Sequence, residues 1–346
     1  MFVNFNLMKV LYLNFLRIII LTRYLSIVKI VNGLKLTSLY LFSYSKFQDV
    51  KRIYPSFISV ETTNFCNLHC PECPVGIRKI TKSGKSSFNF ELYKKLIDEL
   101  KPTLQHVILY FQGEPFLNDQ LFDMISYAHQ ARIYSSTSTN GQFLNEITAR
   151  KIIHSGLDKL IVSVDGSTQE TYQTYRVGGN LQKILDGITS LVKMKKELKS
   201  MTPFIEIQFL VLRTNEHQLK DMKKLAKSLQ VDRLTFKTAQ LYDFKNGNNL
   251  LTTNDRFARY KKGEEGIYRL KGSQSNHCWR LWSGAVINVQ GDVLPCCFDK
   301  SSEFSFGNIF KSTFLKCWQS TDASGFREKI INSRKQIEMC RNCTSN

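Results

Sequence analysis

Long uninterrupted apolar runs are missing from this chain. The N-terminal stretch "MKVLYLNFLRIIILTRYLSIVKIVNGLKLTSLYLF" is broken by Arg17, Arg23, Lys29 and Lys35, so it lacks the roughly 20 predominantly apolar residues that a transmembrane helix needs. These cations recur at six-residue steps, about 600° of helical rotation, which points them in three directions rather than along one polar face. Residues 8–42 therefore leave two uses open: peripheral contact with a membrane surface, or helices that pack on the main domain. Blocks of five or six like charges are also absent, and aromatic residues do not interleave with a basic run. That removes the usual marks of a nucleic-acid module, although 48 basic residues face 29 acidic ones for a formal charge of +19. The excess reads as a Lys-rich solvated surface. Cysteine is missing from the whole middle of the chain, between Cys73 and Cys278. Clustered thiols without a small-x-small cleavage site do not suit a secreted disulfide framework. The expected setting is a reducing cytoplasm with metal-bound thiolates.

What is present is a globular composition, 42% hydrophobic and 22% charged, over 346 residues, enough for one large domain and a small one. From Pro55 onward, extended apolar runs alternate with helix-like ones. Strands are expected in "SFISVE", "HVILYF", "IYSSTST", "KLIVSVD", "FIEIQFLVL" and "RLTFKTA", with helices between them. Six such units, where a full barrel needs eight, predict an α/β fold: a partial (β/α)6 TIM-like barrel. Residues 1–52 form an apolar and basic helical extension, 53–242 the barrel, 243–277 a linker, and 278–346 a small Cys-rich domain. This last segment has too little apolar sequence for a core of its own and needs a metal or cluster as a staple.

In a parallel barrel, functional residues lie where strands end. Cys66, Cys70 and Cys73, spaced C-x3-C-x2-C, follow the first expected strand; "QGEP" follows the second, "TNG" the third and "VDG" the fourth. Zinc usually takes paired thiols, with His69 the one extra local donor, whereas three thiolates on a [4Fe–4S] cluster leave one iron open to a substrate or cofactor. The triplet alone fits both.

Taken together, these motifs resemble the radical SAM enzymes along residues 57–238. Gln112-Gly113-Glu114-Pro115 resembles the family's Gly-Gly-Glu-Pro, with Gln for the first Gly. Ser163-Val164-Asp165-Gly166 resembles its Ser-x-Asp-Gly strand end, with Arg176 downstream. The resemblance implies that S-adenosylmethionine chelates the open iron through its amino and carboxylate groups. An electron then cleaves it to methionine and a 5′-deoxyadenosyl radical, which abstracts hydrogen from substrate. Gly113, Glu114, Ser163, Asp165 and Arg176 are the expected cofactor contacts. Gly113 allows close backbone approach and Glu114 offers an acceptor to the ammonium. Ser163 and Arg176 face the carboxylate or ribose, and Asp165 has loop support as its other reading. Thr139 and Asn140 are expected on the substrate side, with a plain turn as the alternative. Glu72 stands where many relatives carry an aromatic residue near the adenine. No catalytic acid or base is assigned.

Cys278, Gly291-x4-Cys296 and Cys340-x2-Cys343 resemble the auxiliary-cluster region of the SPASM and twitch branches of that family. The C-x2-C-x5-C-x3-C run of a full SPASM domain is missing, so one auxiliary [4Fe–4S] cluster is expected, on Cys278, Cys296, Cys340 and Cys343. This most resembles the shorter twitch arrangement of the aminocyclitol dehydrogenases. Neighbours in an extended segment face opposite ways, so only one of Cys296 and Cys297 is a ligand. The spacing from Gly291 selects Cys296. Cys317, beside Trp318, is expected in the core, and zinc is the alternative occupant. Peptide sulfatase maturases carry Asp directly after the Cys296 position; here Cys297 stands there, with Asp299 two residues on. The expected function is a radical SAM oxidoreductase or maturase acting on a peptide or on a sugar or cyclitol. A ferredoxin or flavodoxin docking on the basic surface would be its electron donor. A zinc-stapled nucleic-acid-binding protein and a membrane-associated scaffold are the alternatives, and neither explains "QGEP" and "SVDG" at matching strand ends.

Overall fold

Short runs bearing β-branched and aromatic residues fit a pleated sheet, and the six expected ones become strands in the computed structural model. It describes residues 22–42, 53–77, 84, 86–241, 243–272 and 274–343. Helix α1 spans Ile27–Phe42. After it come β1 (Phe57–Val60), α2 (Phe90–Leu100), β2 (His106–Ile108), α3 (Leu121–Gln130), β3 (Tyr134–Thr139), α4 (Glu146–His154) and β4 (Lys159–Ser163). The chain continues through α5 (Gln169–Tyr175), α6 (Leu181–Glu197), β5 (Phe204–Val211), α7 (Leu219–Ser228) and β6 (Arg233–Thr238). A short hairpin, β7 (Tyr260–Lys262) and β8 (Tyr268–Leu270), lies in the segment expected to be a linker. The tail supplies α8 (Trp279–Ser283), β9 (Gly284–Ile287), β10 (Val293–Leu294), α9 (Phe314–Trp318) and α10 (Thr321–Ser333).

The sheet order is β10-β9-β1-β2-β3-β4-β5-β6. The six expected strands thus follow one another as neighbours, as right-handed crossovers favour. Two further strands extend the sheet to eight: β9 runs parallel to β1, Phe57 opposite Gly284, and β10 returns antiparallel to β9. The Cys-rich tail was not expected to contribute strands.

Among the described residues the chain divides into two compact units. One takes Cys66–Lys79 and Thr137–Ser273, the other Ile20–Phe65, Ile80–Ser136 and Gln274–Asn346. In the first, α6 buries Leu181, Ile184, Ile188, Leu191 and Met194 at helical spacing. Asn180 caps it by accepting the Lys183 N–H at 2.9 Å. Gly187 sits mid-helix because a Cβ there would overlap Leu144 and lie 2.7 Å from its carbonyl oxygen.

In the second unit, Trp318 stacks on Phe314 and donates its indole N–H to Ile53 O at 3.0 Å. Arg327 is fully buried against the faces of Trp318, Trp282 and Phe306, and gives one N–H to Trp318 O at 3.1 Å. Burial lowers its pKa to about 9. Helix α1 buries two polar side chains beside the apolar Leu36. These, Lys29 and Asn32, bond to Arg132 O at 2.6 Å and Tyr54 O at 2.9 Å. Burial, with Arg132 nearby, lowers the Lys29 pKa to about 8. Meanwhile Ile27, Val28, Ile30, Val31, Leu34 and Phe42 are exposed. Arg17 and the rest of residues 8–21 lie outside the described residues, as do 43–52.

Two helix glycines should respond in opposite ways. Gly187→Ala forces an overlap and is expected to cost about 1–3 kcal/mol. Gly325→Ala, in α10 with open space around it, should gain about 0.5–1 kcal/mol. Urea midpoints of the two variants check this, and a stabilising Gly187→Ala would refute the close approach.

Candidate active site

The cysteine loop is tied into one tight turn. Cys73 N–H donates to Cys70 O at 3.1 Å, Ile77 N–H to Cys73 O at 2.9 Å, and His69 N–H to Val177 O at 3.0 Å. Gly76 lets the loop close: a Cβ there would stand 2.5 Å from Cys70 O and 2.7 Å from Cys70 N. N–H groups face the sulfurs. Leu68 N–H lies 3.4 Å from Cys66 Sγ, Asn140 Nδ2 3.6 Å from the same sulfur, and Arg176 Nη1 3.8 Å from Cys70 Sγ. Asn140 is itself fixed, donating to Asn67 Oδ1 at 2.8 Å and accepting from Gln142 N–H at 3.0 Å. Leu68, Tyr175, Leu212 and Ala239 wall the thiols with Leu250 and Leu251. Burial pushes the Cys70 thiol up and Arg176 opposes that rise.

Asp165 holds Arg176 in place. Its Oδ2 accepts Arg176 Nε at 2.5 Å, its Oδ1 accepts Leu210 N–H at 2.6 Å, and its backbone carbonyl accepts Asn215 Nδ2 at 3.0 Å. Burial opposes the charge on Arg176, but Asp165 and Cys70 outweigh it and hold the guanidinium well above its usual range. Ser163 ends β4 opposite Gln208 of β5. Thr139 accepts Gly141 N–H at 3.0 Å, which closes the "TNG" turn. Glu72 accepts a hydrogen bond from Asn248. Cys66, Cys70, Cys73, Asn140, Asp165 and Arg176 are thus brought together in one unit.

"QGEP" belongs to the other unit, where it packs on the residues just ahead of Cys66. Gly113 has φ +70°, and a Cβ there would overlap Thr63 O and lie 2.8 Å from Phe65 O. Only glycine fits such an approach. Glu114 is 2% exposed; its N–H donates to Phe65 O at 2.9 Å and its Oε1 accepts Phe116 N–H at 3.3 Å. Gln112 donates to Lys300 O at 3.0 Å. Glu61 is a residue the sequence reading did not single out. Its Oε2 accepts Val289 N–H at 3.0 Å, its Oε1 is buried without a partner, and burial raises its pKa to about 7. An acid directly after "SFISV" carries the same signal that marked Glu114.

In this second unit Cys296 lies within electrostatic reach of Cys278 and Cys340, and Cys340 within reach of Cys278 and Cys343. Burial drives the Cys278, Cys296 and Cys340 thiols upward, Cys340 to about 12. Phe298 N–H faces Cys296 Sγ at 3.4 Å. Gln274 Nε2 clamps the last turn, donating to Cys340 O at 2.5 Å and Cys343 O at 2.9 Å. Cys297 also acts electrostatically on Cys296, while it packs against Phe111, Val286 and Leu294 with Arg280 Nη1 3.7 Å from its sulfur. Cys317 is buried beside Trp318. Among the described residues, no three His, Cys, Asp or Glu side chains close on a single metal ion.

The radical SAM family model matches residues 60–226, and that of SPASM, an iron–sulfur cluster-binding domain, matches 278–344. The chain belongs to the radical SAM superfamily. This radical SAM enzyme is 23% identical over 325 residues to the tungsten-containing aldehyde ferredoxin oxidoreductase cofactor-modifying protein of Pyrococcus furiosus, covering 83% of this chain and 87% of the relative. It is 23% identical over 308 residues to the PqqA peptide cyclase of Gluconobacter oxydans, covering 84% and 82%. Streptococcus suis SuiB, solved with the precursor peptide SuiA, shares the fold at a TM-score of 0.60 and 13% identity over 84% of this chain and 71% of that one. Family membership brings S-adenosylmethionine, a [4Fe–4S] cluster and auxiliary iron–sulfur binding, and the nucleic-acid alternative finds no support.

Glu61 gives this radical SAM enzyme a pH signature. With its carboxyl raised from the usual 4.5 to about 7, the folded state keeps a proton that the unfolded state has released. Stability therefore falls as pH rises through that window, and the loss is complete above it. Glu61→Gln is expected to remove this fall, read as the difference in urea midpoint between pH 5 and pH 8. A variant with the wild-type slope would show that Glu61 titrates normally.

Proposed function

We propose that Cys66, Cys70 and Cys73 hold the [4Fe–4S] cluster at which S-adenosylmethionine is cleaved, in an enzyme that matures a peptide. The observation that carries the first part is the set of N–H donors on the sulfurs: Leu68 and Asn140 on Cys66, Arg176 on Cys70. Soft thiolates suit iron–sulfur groups, and hydrogen bonds to their sulfurs tune them. When bound, the cluster and cofactor supply a 5′-deoxyadenosyl radical that takes hydrogen from substrate. The protein supplies binding, orientation and electrostatics. Gly113 and Glu114 serve the cofactor's amino group, and Ser163 and Arg176 its carboxylate or ribose. Asp165, both of whose oxygens are engaged by protein groups, positions Arg176 rather than touching the cofactor.

Cys278, Cys296, Cys340 and Cys343 hold the auxiliary [4Fe–4S] cluster, with Cys297 outside it. The boundaries 53–242, 243–277 and 278–346 serve as the proposed domains. A peptide substrate draws support from the PqqA peptide cyclase and from the precursor peptide bound to SuiB. The basic surface suits an acidic ferredoxin or flavodoxin, whose reduction of the enzyme should slow as salt rises. The reading includes a cytoplasmic enzyme, peripheral at a membrane through the exposed apolar side chains of α1. Among the described residues no helix is long and apolar enough to cross one.

After anaerobic reconstitution, iron and sulfide counts with S-adenosylmethionine turnover test this reading. Wild type should form 5′-deoxyadenosine; Cys70→Ala should form none and lose about four irons. Cys296→Ala should lose about four irons and Cys297→Ala none. The reverse result would reassign the ligand, and a fully loaded wild type that makes no 5′-deoxyadenosine would sink the proposal. For the membrane contact, Leu34→Glu should reduce co-sedimentation with anionic vesicles several-fold; wild type that stays in the supernatant would exclude it.

A further inference from the structure

Arg334, at the end of α10, is 1% exposed and reaches into the Cys-rich tail. Its Nη1 donates to Ser275 O at 2.8 Å and to His277 O at 2.7 Å, the two carbonyls just ahead of Cys278. The same guanidinium hydrogen-bonds Cys340 and acts electrostatically on Cys278. One side chain therefore joins the lead-in of one thiol to the turn that carries another. Gln274 fastens the far side of that turn through Cys340 O and Cys343 O. Neutral carbonyls fix the fork while its positive charge faces sulfur.

We propose that Arg334 is a positioning residue that raises the reduction potential of the auxiliary centre and so biases it to receive an electron. The proposal rests on the assignment of Cys278, Cys296, Cys340 and Cys343 as ligands. Reduction adds negative charge to the centre, and a permanent cation hydrogen-bonded at a ligand sulfur stabilises the reduced form more than the oxidised one. Arginine suits the place because it keeps its charge and its planar fork can span two carbonyls and a sulfur. A lysine keeps the charge with a single point of contact, and a glutamine keeps hydrogen bonds without charge.

EPR-monitored redox titration of the holoenzyme separates these effects, with iron counts and circular dichroism checked on every variant. The centre perturbed by S-adenosylmethionine serves as internal reference and should not move. Arg334→Gln with full iron should lower the reduced-to-oxidised ratio of the auxiliary centre at least tenfold at fixed potential, about 59 mV for a one-electron couple. Arg334→Lys should stay within about threefold of wild type. An unchanged potential in fully loaded Arg334→Gln, or an equal fall in Arg334→Lys, overturns the proposal. Should Arg334→Gln lose its auxiliary iron, Arg334→Lys decides. Full iron at a near wild-type potential supports the charge; lost iron or a tenfold fall overturns it. A wild-type count of iron for one cluster only sinks the ligand assignment itself, whereas a normal count with an unmoved potential sinks Arg334 alone.

Discussion

Asp165 is almost wholly buried, and a buried carboxylate is tolerated only when its oxygens are bonded. One oxygen takes Leu210 N–H from β5, the other takes Arg176, and the backbone carbonyl takes Asn215. The end of β4, the edge of β5 and the loop after β5 are thereby pinned to a single group. Through Arg176 the same group reaches Cys70, so the position of a candidate ligand depends on a carboxylate about a hundred residues away in sequence. Removing one partner of such a pair leaves the other charge buried and costs about 3–5 kcal/mol in comparable cases. The cysteine loop would lose its support along with that stability.

The two thiol sites meet one difficulty with one device. Burial raises the pKa of Cys70 and of Cys340, yet in the ligand roles proposed for them they would have to be thiolates. In each case a guanidinium lies against the sulfur: Arg176 beside Cys70, Arg334 beside Cys340. The difference lies in what holds the arginine. Arg176 is held by a carboxylate, which offsets its charge, whereas Arg334 is held through Ser275 and His277 carbonyls. Geometry is delivered at both sites, with a different electrostatic setting around each.

Strand and helix alternation made the parallel sheet legible, because the strands from β1 to β6, apart from the Ser- and Thr-rich β3, are short runs bearing apolar residues between helices. Side-chain alternation predicts that only one of Cys296 and Cys297 is a ligand; Cys297 packs against Phe111, Val286 and Leu294. Helix α5, "QETYQTY", was not legible, since it has no apolar period and is held by the Thr168 cap and by burial of Tyr172 and Tyr175. Helix α1 showed its apolar content but not its orientation, which Lys29 and Asn32 set through backbone carbonyls far along the chain. Gln274 and Arg334 bind main-chain oxygens, and a main-chain oxygen carries no residue signature that a motif could reveal.

The two departures from the family motifs have physical accounts of different kinds. Gln112, in place of the first glycine of Gly-Gly-Glu-Pro, spends its amide on Lys300 O, four residues after Cys296. Glycine could not make that bond. Glu72 replaces an aromatic side chain by an acceptor, and Asn248 donates to it. The residues around Asn248 are held as well: Arg213 N–H donates to Leu250 O at 3.0 Å, and Glu216 accepts Thr253 N–H at 2.9 Å and Asn254 N–H at 3.2 Å. Leu250 and Leu251 then pack on the same cluster as Cys66 and Cys73. A segment whose composition of Gly, Asn, Lys and Thr suggests slack chain is therefore fastened to the cysteine loop, and the fastening uses the one position in "CPEC" where an aromatic ring could not accept a hydrogen bond from an amide side chain with comparable strength.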